Sequence, residues 1–229
     1  MATGRMTEAQ WLESADPFPM LQWVWSRLSD RRGRLLACAA CRHIDHLLTD
    51  PRTTDALDVA ERFADGAATP DELEAAHQGA AQAQHAQRRK ALLFAYAAVM
   101  SASAPWRDRQ FGLGLTTAAL TEAVQGQVLE AEPRLGYGHL QRDRPEAFAP
   151  MAGLVRHIAG NPFQATPRPT SWPSEVHALA EALYAGGGRA RALHDALKAA
   201  RQGELAEHFR QEMGHPKGCW ALDLILGRR

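Results

Sequence analysis

The stretch of the chain that decides the fold class is TPDELEAAHQGAAQAQHAQRRKALLFAYAAVMSAS, residues 69–103. Thr69 and Pro70 form a typical helix start, an N-cap residue followed by a first-turn proline. Alanine, the strongest helix former, then dominates, and β-branched residues are scarce. The pattern predicts one long helix from Asp71 to about Ser103, interrupted only at Gly79, with a partly exposed first half and a buried second half.

The same helical bias extends over most of the chain. Thr7 and Gln10 have the spacing of a capping box, and Asp16 before Pro17 is a typical N-cap with a first-turn proline. Gly66 is placed to end a helix in the left-handed conformation. No segment alternates polar and apolar residues with a period of two, as a half-buried strand would. The sequence therefore predicts an all-α fold, an irregular multi-helix bundle.

The capping residues, prolines and glycines of the sequence predict a single helical domain over residues 6–229. N-terminal helices are expected over 6–104, a variable Ala/Gly-rich middle over 105–150, and C-terminal helices that pack on the N-terminal part over 151–229. Within the middle, one helix is expected from about Thr116 to Glu130, and the middle as a whole is expected to form a protruding or capping hairpin. Three prolines between 164 and 173 predict an extended linker.

The charge balance argues against nucleic acid as a partner. Lysine plus arginine and aspartate plus glutamate number 26 each in the 229 residues, so no global field attracts a polyanion. Only short basic clusters occur, at Arg31–Arg34, Arg88–Lys90 and Arg142–Arg144. Such clusters are typical of solvated helix faces and helix ends, and no nucleic-acid binding is predicted.

Hydropathy and cysteine usage indicate a cytoplasmic protein that does not enter a membrane. The longest apolar run, Ala91 to Met100, is about half of what a bilayer crossing requires. Residues Met1 to Arg5 lack the apolar stretch of a signal peptide. The 3 cysteines are an odd number, which suits reduced thiols better than a disulfide framework.

The densest group of possible metal ligands is Cys38-Ala-Ala-Cys41-Arg-His43-Ile-Asp-His46. It is similar to a haem-attachment motif, but the histidine comes one residue too late for that spacing. On a continuous helix the two thiols share a face, while the two imidazoles point elsewhere, so this segment alone cannot surround a tetrahedral ion. The alternative is that the small thiols pack like alanine in a core.

A second group occurs near the C-terminus, in Gly214-His215-Pro-Lys-Gly-Cys219-Trp220. Cys219 is expected in the first turn of the last helix, where free N–H groups and the helix dipole favour a thiolate. With His215 nearby, this suits a metal ligand or a reactive thiolate. The alternative is a buried cysteine beside a core tryptophan.

Neither group makes a complete site, but the two together supply the sulfur and nitrogen ligands that zinc prefers. Cys41 or Cys38, with His46 or His43, would join the two C-terminal ligands. The predicted metal site is Cys41, His46, His215 and Cys219, holding a single zinc if it holds a cofactor at all.

Four stretches of the chain form long motifs: the opening M-T-E-x-x-W-L-x-x-x-D-P at 6–17, the segment SDRRGRLLACAACR at 29–42, the G-N-P-F of Gly160–Phe163, and H-x-x-G-C-W-x-x-D-L-x-L-G at 215–227. With these motifs the chain resembles a family of uncharacterised bacterial proteins that is abundant in planctomycetes. The resemblance implies that Met6 is the natural start and that the four predicted ligands occupy motif positions. It implies no activity. This chain differs from the pattern by adding Cys38 and His43.

The sequence carries no recognised catalytic signature. It has no P-loop, no dinucleotide fingerprint, no G-x-S-x-G and no H-E-x-x-H. We therefore predict a non-enzymatic interaction or regulatory module whose partner is another protein. The alternative is a metal- or thiol-dependent protein, an enzyme included, in which Cys219 is ligand or nucleophile and His215 is ligand or base. Whether the protein is an enzyme, and its oligomeric state, are left open.

Overall fold

In a computed structural model the chain is described over residues 6–132, 145–164, 166, 169–210 and 214–228. The described residues form twelve α-helices and no strand, and the predicted all-α multi-helix bundle is confirmed. The helices are α1 (Glu8–Glu13), α2 (Pro17–Val24), α3 (Asp30–Arg42), α4 (Pro51–Ala64), α5 (Pro70–Ala86), α6 (Lys90–Ser103), α7 (Arg109–Ala131), α8 (Ala149–Ala159), α9 (Ser174–Tyr184), α10 (Ala190–Ala199), α11 (Gly203–Glu207) and α12 (Trp220–Leu226). Among these helices, none combines the length and the apolar character needed to cross a bilayer.

Three helix ends lie where the sequence places them. The Thr7 hydroxyl accepts the Gln10 N–H at 3.2 Å and the Gln10 amide oxygen accepts the Thr7 N–H at 2.9 Å, which completes the predicted capping box. Asp16 accepts the N–H of Phe18 at 3.0 Å and so caps α2. Gly66 follows α4 with a φ of +73°, the left-handed conformation predicted for it.

The stretch 69–103 forms two helices, α5 and α6, so the prediction of one helix interrupted only at Gly79 is wrong. Gly79 lies inside α5. The chain leaves the helix at Gln87, which has an extended backbone with φ −77° and ψ 143°. The Gln87 amide oxygen accepts the N–H groups of both Arg88 and Arg89 at 2.9 Å. The Gln87 side chain thus gives these two N–H groups a hydrogen-bond partner other than a helix carbonyl. Because the backbone has this alternative, α5 ends before Gln87.

One compact unit spans Met1–Arg156. In it α6 packs along α7, and both contact α3, while α4 and α5 pack on each other. Its core is built from fully buried side chains, among them Leu35, Leu36, Tyr96, Val99, Leu120 and Val124.

The middle of the chain contributes to this core rather than protruding from it. Helix α7 begins at Arg109, earlier than expected, because Asp108 caps it by accepting the Phe111 N–H at 2.8 Å. Leu120 and Val124 of α7 are fully buried. The expected protruding or capping hairpin is therefore wrong for this helix; residues 133–144 lie outside the described part of the chain.

A second compact unit spans His157–Arg229. The sequence predicts one domain, whereas contacts within the chain form two units whose boundary falls inside α8. In the second unit α9 packs on α10 and α12, and α10 packs on α11. Its core includes the buried side chains Val176, Leu193, Leu197, Phe209, Leu222 and Ile225. The described residues between 164 and 173 form no helix, as expected of a linker.

Candidate metal centre

Four ligand-type side chains of the second unit come together. His157 lies in the last turn of α8, and Gly160, with a φ of +74°, directly follows this helix. His208 follows α11 directly, and Cys219 is the N-cap residue of α12. His215 lies in the loop between these two elements. The four side chains thus come from three separate stretches of chain, joined only by folding.

A tight turn brings the two C-terminal ligands together. The Cys219 N–H donates to the Pro216 carbonyl at 3.0 Å, and Gly218 inside this turn has a φ of +83°. Glycine adopts that conformation without a steric cost, which is why it is preferred at turn positions with positive φ. The turn returns the chain so that Cys219 Sγ lies 3.8 Å from His215 Nδ1.

The four ligand atoms lie close enough together to share one metal ion. All four lie within 4.8 Å of one another. His157 Nε2 is 3.1 Å from His215 Nδ1, and His208 Nε2 is 3.1 Å from Cys219 Sγ. Around tetrahedral zinc, with the usual bond lengths, two nitrogens lie about 3.3 Å apart and a nitrogen and a sulfur about 3.6 Å apart. The His157–His215 and His215–Cys219 contacts are close to these values, whereas the His208–Cys219 contact is shorter.

The three imidazoles are neutral at physiological pH. Burial lowers the pKa of His157 to about 4, with the neighbouring His215 adding to the effect. Burial likewise lowers the pKa of His208 to about 3 and that of His215 to about 4. Because a neutral imidazole carries a free lone pair, each of the three is in the protonation state that binds a metal.

Aromatic and apolar side chains surround the cluster. The His208 ring packs edge-on against Phe209 and Trp220, with centroids 5.0 and 5.2 Å away, and the His215 ring lies 4.9 Å from Phe209. Cys219 is fully buried in the core of the second unit. A bare thiolate in such surroundings is costly, and a bound cation removes that cost. The environment therefore favours either a neutral thiol or a metal-bound thiolate.

One ring nitrogen of the cluster lacks a partner. His215 Nε2 is buried, and no described residue forms a hydrogen bond with it. Leaving a buried polar atom unsatisfied costs about 1–3 kcal/mol. With a metal at Nδ1 of the same ring, the neutral ring would carry its proton on Nε2. A metal-bound histidine usually donates this second N–H to an acceptor, so the orphaned Nε2 does not itself support a metal at Nδ1.

The cluster contains two of the four residues predicted from the sequence. His215 and Cys219 belong to it, and His157 and His208 complete it. Cys41 and His46 are not members of this group.

The two remaining predicted ligands lie in the first unit. Cys41 is fully buried in α3, and burial raises the pKa of its thiol well above the ordinary value, an effect that nearby Cys38 increases. His46 lies on the exposed side of the short 3-10 helix Asp45–Leu47. The environment of the Cys41 thiol suits the interpretation of a thiol packed in a core.

Sequence reasoning did not select His157 or His208. A usable signal was present for the second, because His208, His215 and Cys219 follow one another closely in a segment with few other ligand-type residues. His157 carries a weaker signal: it interrupts an apolar helix face three residues before Gly160. Its participation depends on how α8 approaches the C-terminal loop, which no local pattern encodes.

Comparison of the chain with protein-family models, with curated proteins and with solved structures finds no match. The resemblance to the planctomycete proteins therefore stays a prediction, and the function is argued from the site alone.

Proposed function

We propose that this protein binds one zinc ion in its second unit, through His157, His208, His215 and Cys219, and that the ion holds this unit together. The observation that carries the proposal is the mutual distance of the four ligand atoms, all within 4.8 Å. Chance proximity of histidines is common on surfaces, but here the cysteine is fully buried and the three rings are largely so. The proposal therefore rests on geometry and burial together.

The donor set favours zinc among common metals. One thiolate and three imidazoles give a mixed sulfur and nitrogen set, which suits zinc and does not suit magnesium or calcium, since these ions require oxygen ligands. No carboxylate belongs to the group found among the described residues. A tetrahedral arrangement is the usual geometry of zinc bound by four protein ligands.

A structural role follows from the number of ligands. Catalytic zinc sites keep one position open for water or substrate, whereas four protein ligands close the coordination sphere. The second unit is also small, about 70 residues, and units of that size often need a metal or a disulfide to supplement a limited core. In this role Cys219 and His215 act as ligands and not as nucleophile and base.

A structural metal is compatible with the interaction module predicted from the sequence. The ion would fix the loop before α12 and thereby the surface that this unit presents. The interaction role itself stays a prediction. The metal site can be tested directly on the purified protein.

Elemental analysis of the purified, tag-free protein tests the proposal. We expect about one zinc per chain, as in other structural sites, lost in Cys219→Ser and in His208→Gln. Cys41→Ala and His46→Gln are the matched controls and should keep the metal, because neither residue belongs to the cluster.

Two results would overturn the proposal. One is a wild-type chain that stays metal-free after expression and refolding with added zinc, a readout that does not depend on any variant folding. The other is zinc that survives Cys219→Ser but is lost in Cys41→Ala, which would move the site to the first unit.

A further inference from the structure

The first unit contains a pocket of about 430 Å³ that is independent of the metal cluster. It is lined by side chains of α3, α4, the start of α5 and the segment after α6, among them Arg34, Phe63, Leu73 and Trp106. Pockets that bind small molecules have volumes of about 300–1,000 Å³, with apolar walls and a few fixed polar groups. The size and lining of this pocket therefore suit a small ligand.

Arg34 is the fixed polar group of the pocket. Its side chain is 4% exposed, and its Nη1 donates to the carbonyls of Ala102 at 2.8 Å and Ala104 at 2.9 Å. The guanidinium also lies over two rings, 4.7 Å from Trp106 and 5.3 Å from Phe63. Nη1 is thereby held in place, while Nε and Nη2 take part in no hydrogen bond with the described residues. These two donors form the fork that binds a carboxylate through two parallel hydrogen bonds.

Among the described residues no carboxylate forms a direct ion pair with Arg34, although Asp30, which also lines the pocket, attracts it at longer range. The acidic residue nearest along α3, Asp30, pairs with Arg109, and the neighbouring Arg31 pairs with Asp65 at 2.9 Å. An arginine stays protonated even when buried. A buried charge without an opposite partner is costly, so the arrangement favours an anion supplied from outside.

The walls of the pocket restrict what the rest of the ligand can be. Most of the lining is apolar, and the apolar members are Phe63, Ala64, Pro70, Leu73, Pro105 and Trp106. Besides Arg34, the charged residues of the lining are Asp30 and Arg31, each of which pairs with another side chain. The indole N–H of Trp106 is buried and donates to no acceptor among the described residues. A fully hydrated anion such as phosphate would make no apolar contact with these walls. A ligand with an apolar body would bury their apolar surface.

We propose that this pocket binds a small monocarboxylate with an aromatic body, its carboxylate held by Nε and Nη2 of Arg34 and its ring placed against Phe63 and Trp106. One negative charge on the ligand matches the single unpaired guanidinium. The apolar body replaces water along the walls, which favours binding in proportion to the area covered. The site is a binding site and implies no chemical step.

Calorimetric titration of the full-length, zinc-supplemented protein with indole-3-acetate tests this inference. The matched probe is indole-3-acetamide, which has the same body without the charge, and inorganic phosphate is the anion without the body. We expect the acid to bind at least tenfold more tightly than the amide and phosphate not to bind measurably, since losing one good charged contact reduces affinity by about that factor.

Two variants locate the binding. Arg34→Lys keeps a positive charge but loses the fork and should weaken binding of the acid at least tenfold. Ala64→Leu fills the pocket, leaves Arg34 in place and should abolish binding. Ala67→Leu, which lies outside the lining, is the control and should bind like the wild type.

Three outcomes would overturn the inference. They are no binding of indole-3-acetate to the wild-type protein at millimolar concentrations, equal binding of acid and amide, and binding of phosphate as strong as that of the acid. Unchanged affinity in a folded Ala64→Leu variant would also place any observed binding elsewhere.

Discussion

Gly160 and Trp220 are in close contact although they belong to distant parts of the sequence. A Cβ atom built at Gly160 would lie 3.1 Å from Cγ of Trp220, which is tighter than most real contacts. Gly160 comes three residues after His157, and Trp220 follows Cys219 directly. The contact therefore joins the two stretches that carry the first and last ligands of the cluster, and it gives a physical role to two motifs that the sequence singled out separately.

Substitution Gly160→Ala is expected to destabilise the second unit through two effects. The residue has a φ of +74°, which costs about 1–2 kcal/mol for a residue with a Cβ. The new methyl group would also press on Trp220, and overpacking of that kind adds about 1–3 kcal/mol. Urea denaturation followed through the helical circular dichroism signal measures the total.

Gly186→Ala is the matched control for the backbone effect. Gly186 lies in the same unit with a φ of +83°, and a Cβ there would meet nothing within 4 Å. We expect Gly160→Ala to lose more stability than Gly186→Ala and to bind zinc more weakly. Equal losses in the two variants would show that the contact with Trp220 contributes nothing.

Removing the metal is expected to loosen the second unit selectively. A ligand present at 100 times its dissociation constant stabilises the state that binds it by about 2.7 kcal/mol. A strong chelator should therefore increase amide hydrogen exchange in α11 and α12, and leave α4 in the first unit unchanged. Cys219→Ser serves as the control because its exchange should not respond to the chelator. Equal exchange with and without chelator in the wild type would contradict a structural role for the ion.

Cobalt substitution tests which atoms surround the ion. Tetrahedral cobalt gives intense visible bands, and a thiolate ligand adds a charge-transfer band in the near ultraviolet. We expect both in the wild-type protein, loss of the charge-transfer band in Cys219→Ser, and no change in Cys38→Ala. Weak visible bands typical of an octahedral ion would contradict the proposed ligand set.

The fold class could be predicted from the sequence because it depends on local preferences. The capping box at Thr7 and the left-handed stop at Gly66 need only a few neighbouring residues, and both are confirmed. The break at Gln87 was missed for a physical reason. It results from one side chain hydrogen-bonding to the next two backbone N–H groups, and the same glutamine would be an ordinary helix former without that competition.

The metal cluster was only half predictable for a different reason. His215 and Cys219 lie close in sequence, and a turn through Gly218 is enough to join them. His157 enters the cluster because its stretch of the second unit meets the C-terminal segment at the Gly160–Trp220 contact, which is non-local in sequence. The pairing with Cys41 and His46 rested on residue types alone, since spacing along a chain does not determine which buried thiol meets which imidazole.

The stability of the first unit is expected to fall as pH rises because of one partly buried carboxyl group, that of Glu122. Burial raises the pKa of this group to about 7, and the hydrogen bond from the Ser101 hydroxyl at 3.0 Å opposes the shift only in part. A carboxyl whose pKa is higher in the folded state than in the unfolded state stabilises the fold while it is protonated in both. That contribution is present below about pH 4.5 and is lost as pH rises to about 7, a loss of at most about 3 kcal/mol.

Glu122→Gln keeps the shape and removes the charge, so it should have nearly the stability of the wild type at pH 5 and exceed it clearly at pH 8. Urea denaturation at the two pH values measures the difference, and effects of other titrating groups cancel between the two proteins. Glu130→Gln, on the same helix but in an exposed pair with Arg89, is the control and should shift little at either pH. A constant difference between wild type and Glu122→Gln across this range would mean that the carboxyl is ionised in the folded protein at both pH values. The partly buried Glu122 side chain, hydrogen-bonded to Ser101 of α6, would then carry a charge that desolvation disfavours.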